Sequence, residues 1–361
     1  MSPLMKKVEN AGKKGLVKKR KPYKISGEDF FHDTETLRLL YSKLINNHEP
    51  ERIVVIPSVS FGMANVVNNL PKKKGKILVV EGQFPSNIYP WTSLKERGYD
   101  VETVTAPKGI IKGEEWNDKI EEAITDETVL LAIGHVHWAD GTLFALKRFR
   151  EKLDRVDGLL IIDGTQSVGA LPFDIQEINP DALICAGYKW LMGPYSIGLA
   201  YYGERFDGGR PVEENWINRE NSDDFAGLVN YEENYRKGAL RYEVGEHSNF
   251  ILVPMMIEAI KQVLKWTPEG IQEYCDQLMG PAISQAAELG FESEERAFRS
   301  AHLFGLQLPP STTPEAAMNV FKERKVSVSL RGETIRVAPH VYNDEMDVKK
   351  FLRSLSQIAE S

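Results

Sequence analysis

Over the first two hundred residues, apolar positions fall into short β-branched runs. Between these runs lie longer stretches in which apolar residues recur three and four positions apart. "ERIVVIPSVSFGMANVVNNL" (51–70) passes from a strand through a Ser/Gly turn into a helix, and "GKILVVEGQFPSNIYPWTSLKERG" (75–98) repeats that order. "TVLLAIGHVHW" (128–138) predicts a strand, "LKRFREKLDRV" (146–156) a helix, and "GLLIIDGTQSVGA" (158–170) a strand with its turn. "DALICAGYKW" (181–190) and "SIGLAYYG" (196–203) add two strands. Such alternation predicts an α/β fold with a mostly parallel, doubly wound sheet. After residue 250 the pattern changes. "NFILVPMMIEAIKQVLKW" and "GIQEYCDQLMGPAISQAAELG" predict long helices; "HLFGLQL", "KVSVSLRG" and "TIRVAP" predict short strands; a last helix starts at Asp344. The chain therefore divides into a large domain over 1–250, whose first residues belong with either part, and a smaller α+β domain over 251–361.

Composition narrows the function. The 361 residues carry a formal net charge of −7, with 42% apolar and 27% charged residues. That acidic balance argues against a nucleic-acid partner. The basic run "KKGLVKKRKPYK" (13–24) reads as a solvated amphipathic stretch. No apolar run approaches the roughly 20 residues of a membrane span, and the charged beginning lacks the apolar core of a signal peptide. The two cysteines, Cys185 and Cys275, cannot build a disulfide framework. A reducing, cytoplasmic setting is the expectation.

Ligands of doubly wound sheets bind at the carboxyl ends of strands, and the residues predicted there include Ser58, Ser60, Phe84, His135, Asp163, Gln166 and Lys189. Lys189 follows the apolar run Ala182–Ala186 and precedes Trp190, Leu191 and Met192. An ammonium in that setting either snorkels to water or is neutralised. Imine formation with an aldehyde is one way to neutralise it. A cofactor with an aldehyde, a pyridine nitrogen and a phosphate asks for a lysine, a carboxylate at the ring nitrogen and donors at a turn entering a helix. Lys189 and Asp163 supply the first two. "SVSFG" (58–62), through the N–H groups around Val59 and Ser60 and the Ser60 hydroxyl, supplies the third. Gln166 is placed to donate to a ring hydroxyl, and Phe84 to stack on the ring. Each residue also has a plainer reading: Asp163 as a turn former, Phe84 as core, Arg336 as a surface ion pair. His135 and His137 stand two apart with no third ligand near, so no metal site is expected; His135 is expected to line the cofactor pocket.

"DGTQSVGALPFDI" followed by "DALICAGYKWLMGP" resembles the class V branch of the pyridoxal-phosphate aminotransferase superfamily, which includes cysteine desulfurases, kynureninase and isopenicillin N epimerase. That resemblance implies a fold-type I pyridoxal-phosphate transferase with Asp163 and Lys189 as catalytic residues. "EGQFPSN", with Phe84, and Tyr188 before the lysine are similar to the kynureninase side, where a Tyr binds phosphate. Trp138 stands where desulfurases carry an Asn near the ring hydroxyl. "RYEVGEHSNF" (241–250) resembles the segment that reaches the neighbouring subunit's phosphate, implying a homodimer with shared sites in which Ser248 and Asn249 bind cofactor. "TIRVAPHVYNDEMDV" (334–348) resembles the strand whose arginine, here Arg336, binds a substrate carboxylate. The desulfurase nucleophile is missing from "VSVSLRGETIR", and "MSPL" reads as a late start that leaves one pocket edge incomplete. The expectation is an amino-acid-transforming enzyme using pyridoxal 5′-phosphate, foremost an aminotransferase. A lyase or epimerase is the alternative, and a non-enzymatic cofactor-binding protein comes last.

Overall fold

The structure, a computed structural model, describes residues 1–70 and 74–360. Seven strands form the main sheet: β1 (Ile53–Ile56), β2 (Lys76–Val80), β3 (Asp100–Val104), β4 (Thr128–Gly134), β5 (Leu159–Asp163), β6 (Ala182–Ala186) and β7 (Gly198–Tyr202). Their order is β1-β7-β6-β5-β4-β2-β3. Pairs β2–β3, β2–β4, β4–β5 and β5–β6 are parallel, whereas β7 runs antiparallel to both β6 and β1. This is the α/β, fold-type I architecture with the mostly parallel sheet that the alternation implies. The edge strand β3 is short of apolar residues and half exposed, so its alternation was too weak to register in the sequence.

Successive residues of the central strands face opposite layers, as the two-residue strand period requires. Val55, Leu131, Ile133, Leu160, Ile162, Leu183 and Leu199 join one core. Val54, Leu130, Ala132, Ile161, Ile184 and Ala200 join the other. Because both faces are covered, the strands read as near-continuous apolar runs. The first core is closed by the helices His32–Leu44, Leu146–Arg155 and Leu252–Trp266, the second by Val59–Asn68 with Trp91 and Leu94. The helix Lys6–Lys18 lies on Leu252–Trp266, with its glycines Gly12 and Gly15 turned toward Met255 and Phe250.

A second, three-stranded sheet comprises β8 (Phe304–Gln307), β9 (Ser329–Arg331) and β10 (Thr334–Val337), in the order β8-β10-β9 and antiparallel throughout. It packs with the helices Pro268–Glu288, Pro314–Glu323 and Glu345–Ala359 around Phe291, Phe304, Phe321, Ile335 and Leu355. The change in pattern near residue 250 precedes this second core by one helix. Leu252–Trp266 gives Val253, Met256, Ile260 and Val263 to the large core, and the small one draws on Met279 and residues after it.

The turn after β5 comes against the Lys189 segment through one glycine. Gly169 has φ +103, and a Cβ there would stand 2.5 Å from the Trp190 carbonyl oxygen and 3.1 Å from the Leu191 nitrogen. Backbone cannot yield as a side-chain tip can, and this φ is one L-residues avoid. Gly169→Ala is expected to destabilise the fold by about 1–3 kcal/mol and to displace the segment carrying Lys189. Thermal unfolding and the Lys189 labelling described below check the two effects.

Candidate active site

The carboxyl edge of the parallel sheet opens into a cavity of about 270 Å³, lined among others by Ser58, Val59, Ser60, Phe84, Trp138, Asp163, Gln166, Tyr188 and Lys189. They enter from several strand ends: Ser58, Val59 and Ser60 after β1, Phe84 after β2, Trp138 after β4, Asp163 and Gln166 at β5, and Tyr188 and Lys189 after β6. Ser58 is the N-cap of Val59–Asn68: its Oγ accepts from the Phe61 N–H at 3.2 Å and lies 3.0 Å from Ser60 Oγ. The first N–H groups of a helix lack intrahelical partners and carry its positive pole, so this end of the cavity suits an anion. Asp163, the last residue of β5, accepts from the Thr165 N–H at 3.0 Å, and Thr165 Oγ1 accepts from the Ala186 N–H at 3.1 Å. These contacts bind the β5 turn to the end of β6, from which Lys189 follows.

Lys189 Nζ stands 5.6 Å from the centre of the Phe84 ring. Phe84 meets Trp138 edge to face with centroids 5.5 Å apart. Trp138 is anchored by its Nε1, which donates to the Gly82 carbonyl at 2.6 Å. Tyr188 packs on Tyr195 at 4.6 Å. Gln166 Oε1 accepts from Trp190 Nε1 at 3.1 Å, and its backbone carbonyl accepts from His302 Nε2 at 2.7 Å. Arg336 on β10 donates from Nη1 to the Trp138 carbonyl at 2.9 Å and from Nε to Ser329 Oγ at 3.1 Å. Together with Lys189 and Gln166 it lines a crevice that adjoins the main cavity and also borders Met1, Ser2 and Tyr342.

Electrostatics follow from burial. Loss of water pushes the Lys189 ammonium down to about 8; Asp163 opposes the shift, and Arg336 and Arg331 add to it. Burial raises the Asp163 carboxyl above its ordinary range, against its bonds to Thr165 and the charge of Lys189. Hence a neutral amine is accessible near neutral pH, opposite a carboxyl that gains from a cationic partner. Asp140 behaves differently. Burial alone would raise it, yet His137 at 3.0 Å and Lys112 at 2.7 Å hold it well below the carboxylate range.

The geometry brings together Val59, Ser60, Phe84, Trp138, Asp163, Gln166, Tyr188 and Lys189, with Arg336 at the adjoining crevice. His135 is not among the residues lining either space. It turns edge-on to Phe173 at 5.6 Å, and burial pushes its imidazole down to about 4. His137, one strand period further along, lines the cavity instead. Ser248 and Asn249 are not among the residues lining this chain's own cavity, and Asn249 Oδ1 accepts from the Ile251 and Leu252 N–H groups at 3.1 and 2.9 Å. Thr165, Gln83 and Tyr195 also line the cavity. Thr165 had a visible signal, its place inside "DGTQ"; the other two had none. Among the described residues, no cluster of His, Cys, Asp or Glu is arranged to hold a metal ion, and no helix is long and apolar enough to cross a membrane.

An anion-binding helix end, an aromatic ring over a lysine, and a buried carboxyl with spare acceptor capacity fit pyridoxal 5′-phosphate. Comparison with known proteins places the chain. The family model of class V aminotransferases matches residues 15–214, and the chain belongs to that family. It is thus an enzyme of the pyridoxal-phosphate-dependent class V group. An uncharacterised aminotransferase of Bacillus subtilis, YcbU, is 27% identical over 318 residues, covering 88% of this chain and 81% of that one. A probable cysteine desulfurase of Pyrococcus abyssi is 24% identical over 325 residues, covering 82% and 75%. The same fold is found in the apo cysteine desulfurase of Thermococcus onnurineus (TM-score 0.83, 20% identity, 99% and 92% covered). It is also found in the cystine C-S lyase C-DES bound to cysteine persulfide (TM-score 0.86, 19% identity, 98% and 95% covered).

A lowered lysine pKa means the reactive neutral amine accumulates from about pH 8 rather than near 10.5. In the cofactor-free protein, acylation of Lys189 by acetic anhydride, followed by peptide mass spectrometry, is expected to rise with pH about a midpoint near 8. The exposed Lys13 serves as the internal reference.

Proposed function

We propose that the chain is an aminotransferase in which Lys189 carries pyridoxal 5′-phosphate and then moves a proton at the substrate Cα. The observation that carries this reading is the Lys189 amine, depressed to about 8, enclosed with Asp163 and within 5.6 Å of the Phe84 ring. The bound cofactor supplies an aldehyde for amine exchange and a ring that withdraws electrons from Cα. Asp163 holds the ring nitrogen protonated, with its own charge favoured by that partner. Val59, Ser60 and Tyr188 would hold the phosphate, Phe84 would face the ring, and Gln166 and Trp138 would meet the ring hydroxyl. Arg336 holds the substrate α-carboxylate and so turns the Cα bond toward Lys189.

The buried thiols favour transamination over a persulfide-forming desulfurase. Cys185 is 1% exposed in β6 and Cys275 is wholly buried in its helix. Burial pushes the Cys275 thiol up to about 12 and Cys185 higher still. A thiolate nucleophile is thereby disfavoured at both positions. Two unpaired cysteines also support a reducing, cytoplasmic location.

A panel of amino acids assayed with and without an oxo-acid acceptor tests the reaction. Acceptor-dependent amine transfer is expected; acceptor-free release of alanine or a side-chain fragment would instead establish the lyase alternative. Borohydride is expected to abolish the visible band of the loaded enzyme and to label Lys189, and Lys189→Ala to abolish turnover. Asp163→Asn keeps the shape but removes the charge. A rate loss of roughly 10- to 100-fold is expected, the effect of a hydrogen bond to a charged group. A near-normal rate would reduce Asp163 to a turn former.

We also propose a two-fold homodimer in which Ser248 and Asn249 reach the partner's phosphate. Support comes from their not lining this chain's own cavity and from exposed apolar residues on the long connection between β7 and the Leu252–Trp266 helix: Phe225, Val229 and Tyr231. Sedimentation is expected to give a dimer mass. Mixing an inactive Lys189→Ala variant with an inactive Ser248→Ala/Asn249→Ala variant is expected to restore activity, since one site in each mixed dimer is whole.

A further inference from the structure

The substrate side of the site carries more positive charge than an α-carboxylate neutralises. Arg331 pairs with Thr334 and Arg336 with Ser329 across β9 and β10. Directly paired residues share a face, and so do residues two apart on one strand. Arg331 and Arg336 are therefore diagonal neighbours on one face, the face opposite the core residues Ile335 and Val337. Both guanidinium groups stand over the same Trp138 ring, at 5.0 Å for Arg331 and 6.0 Å for Arg336. Among the described residues neither forms an ion pair with a carboxylate. Arg331 donates from Nη1 to its neighbour's carbonyl, at Leu330, and its buried Nε has no partner. Arg336 donates to Ser329 and to the Trp138 carbonyl. Burial lowers the Arg336 pKa, and the charge of Arg331 adds to that. Asp163 is the one carboxylate that acts on Lys189, and the cofactor's ring nitrogen claims it.

Like charges on one sheet face destabilise it, and a guanidinium nitrogen out of water with nothing to bond costs free energy. A ligand with two anionic groups removes both costs; a ligand with one removes half. We propose that Arg331 and Arg336 form a two-anion recess, so that the substrate is an α-amino acid with a second carboxylate or similar anionic group on its side chain. Arg336 holds the α-carboxylate and Arg331 the distal anion, with the Trp138 face between them as a cation–π platform. The oxo acid left after amine transfer has the same two anions and fits the same recess. This inference rests on the aminotransferase reading for the roles of the two ends.

Calorimetric titration of the purified full chain with succinate and with propionate tests the recess without turnover. Succinate is expected to bind about tenfold or more tighter, the value of an added charge-assisted pair. In Arg331→Gln that preference is expected to fall to about threefold or less, whereas Arg336→Gln weakens both ligands. In turnover, the kcat/KM ratio for aspartate over alanine is expected to fall about 10- to 100-fold in Arg331→Gln. Equal binding of the two acids by the wild type, or an unchanged ratio in Arg331→Gln, overturns the inference. If Arg331→Gln does not fold, Arg331→Lys keeps the charge but loses the planar fork, and an undiminished preference there overturns it equally. Failure of the underlying reading looks different: no borohydride-sensitive band at Lys189, with the succinate preference intact. A normal band with no preference sinks the recess alone.

Discussion

The site depends on a lysine nitrogen kept largely from water with a single carboxyl to answer it. In bulk solvent Lys189 would hold its proton well past pH 10. Burial is the main cause that pushes its pKa down to about 8, because the ammonium loses more hydration than the amine does. Asp163 limits the shift, and its own raised pKa shows that the two charges do not fully offset each other's burial. A stronger ion pair would fix Lys189 as an ammonium, of no use as a nucleophile. An uncharged residue in place of Asp163 would leave a ring nitrogen without its anion. The intermediate balance requires that Lys189 and Asp163 be held by backbone, and not by each other.

Backbone does hold them. Thr165 Oγ1 ties the turn after β5 to the Ala186 N–H at the end of β6. The close approach of Gly169 to Trp190 fixes the spacing on the far side of that turn. Trp190 in turn donates to Gln166. These contacts pin the loop holding Asp163 and Gln166 to the loop holding Lys189 at three points. None of them involves the Lys189 amine or the Asp163 carboxylate oxygen beyond its bond to Thr165, and the last uses Gln166 through its Oε1 alone.

How legible this was depends on the period of the pattern. Strands β1, β2, β4, β5, β6 and β7 showed as apolar runs because both sheet faces are buried. Each candidate at a strand end could then be assigned to the carboxyl edge. Asp163, Gln166 and Lys189 meet at the cavity because register places the ends of β5 and β6 side by side. The pair His135 and His137 shows where such reading stops. Both follow β4 two residues apart, so the strand period does not separate them, yet His137 lines the cavity while His135 packs on Phe173. Arg336 was legible from its strand, but its meeting with Trp138 and Arg331 was hidden for a similar reason. Arg331 and Arg336 lie almost two hundred residues away in sequence, and only the pairing of β9 with β10 puts both on one face.

The two sheets have different shares in the chemistry, and the contacts between them follow that division. The parallel sheet supplies most residues that line the cavity, while the small sheet brings Arg336 to the adjoining crevice. Among the described residues, hydrogen bonds from the smaller domain reach the larger one near the site. Arg336 donates to the Trp138 carbonyl at 2.9 Å, His302 to the Gln166 carbonyl at 2.7 Å, and Gln272 to the Ala170 carbonyl at 2.7 Å. The first bond involves a charged donor. The other two do not: His302 Nδ1 accepts from Gln272, so the pair is internally satisfied and stays neutral, with burial pushing His302 down to about 3. A neutral, fully bonded pair thus ties the Gln166 turn to the residues that precede β8, beside the charged Arg336 that meets the Trp138 carbonyl.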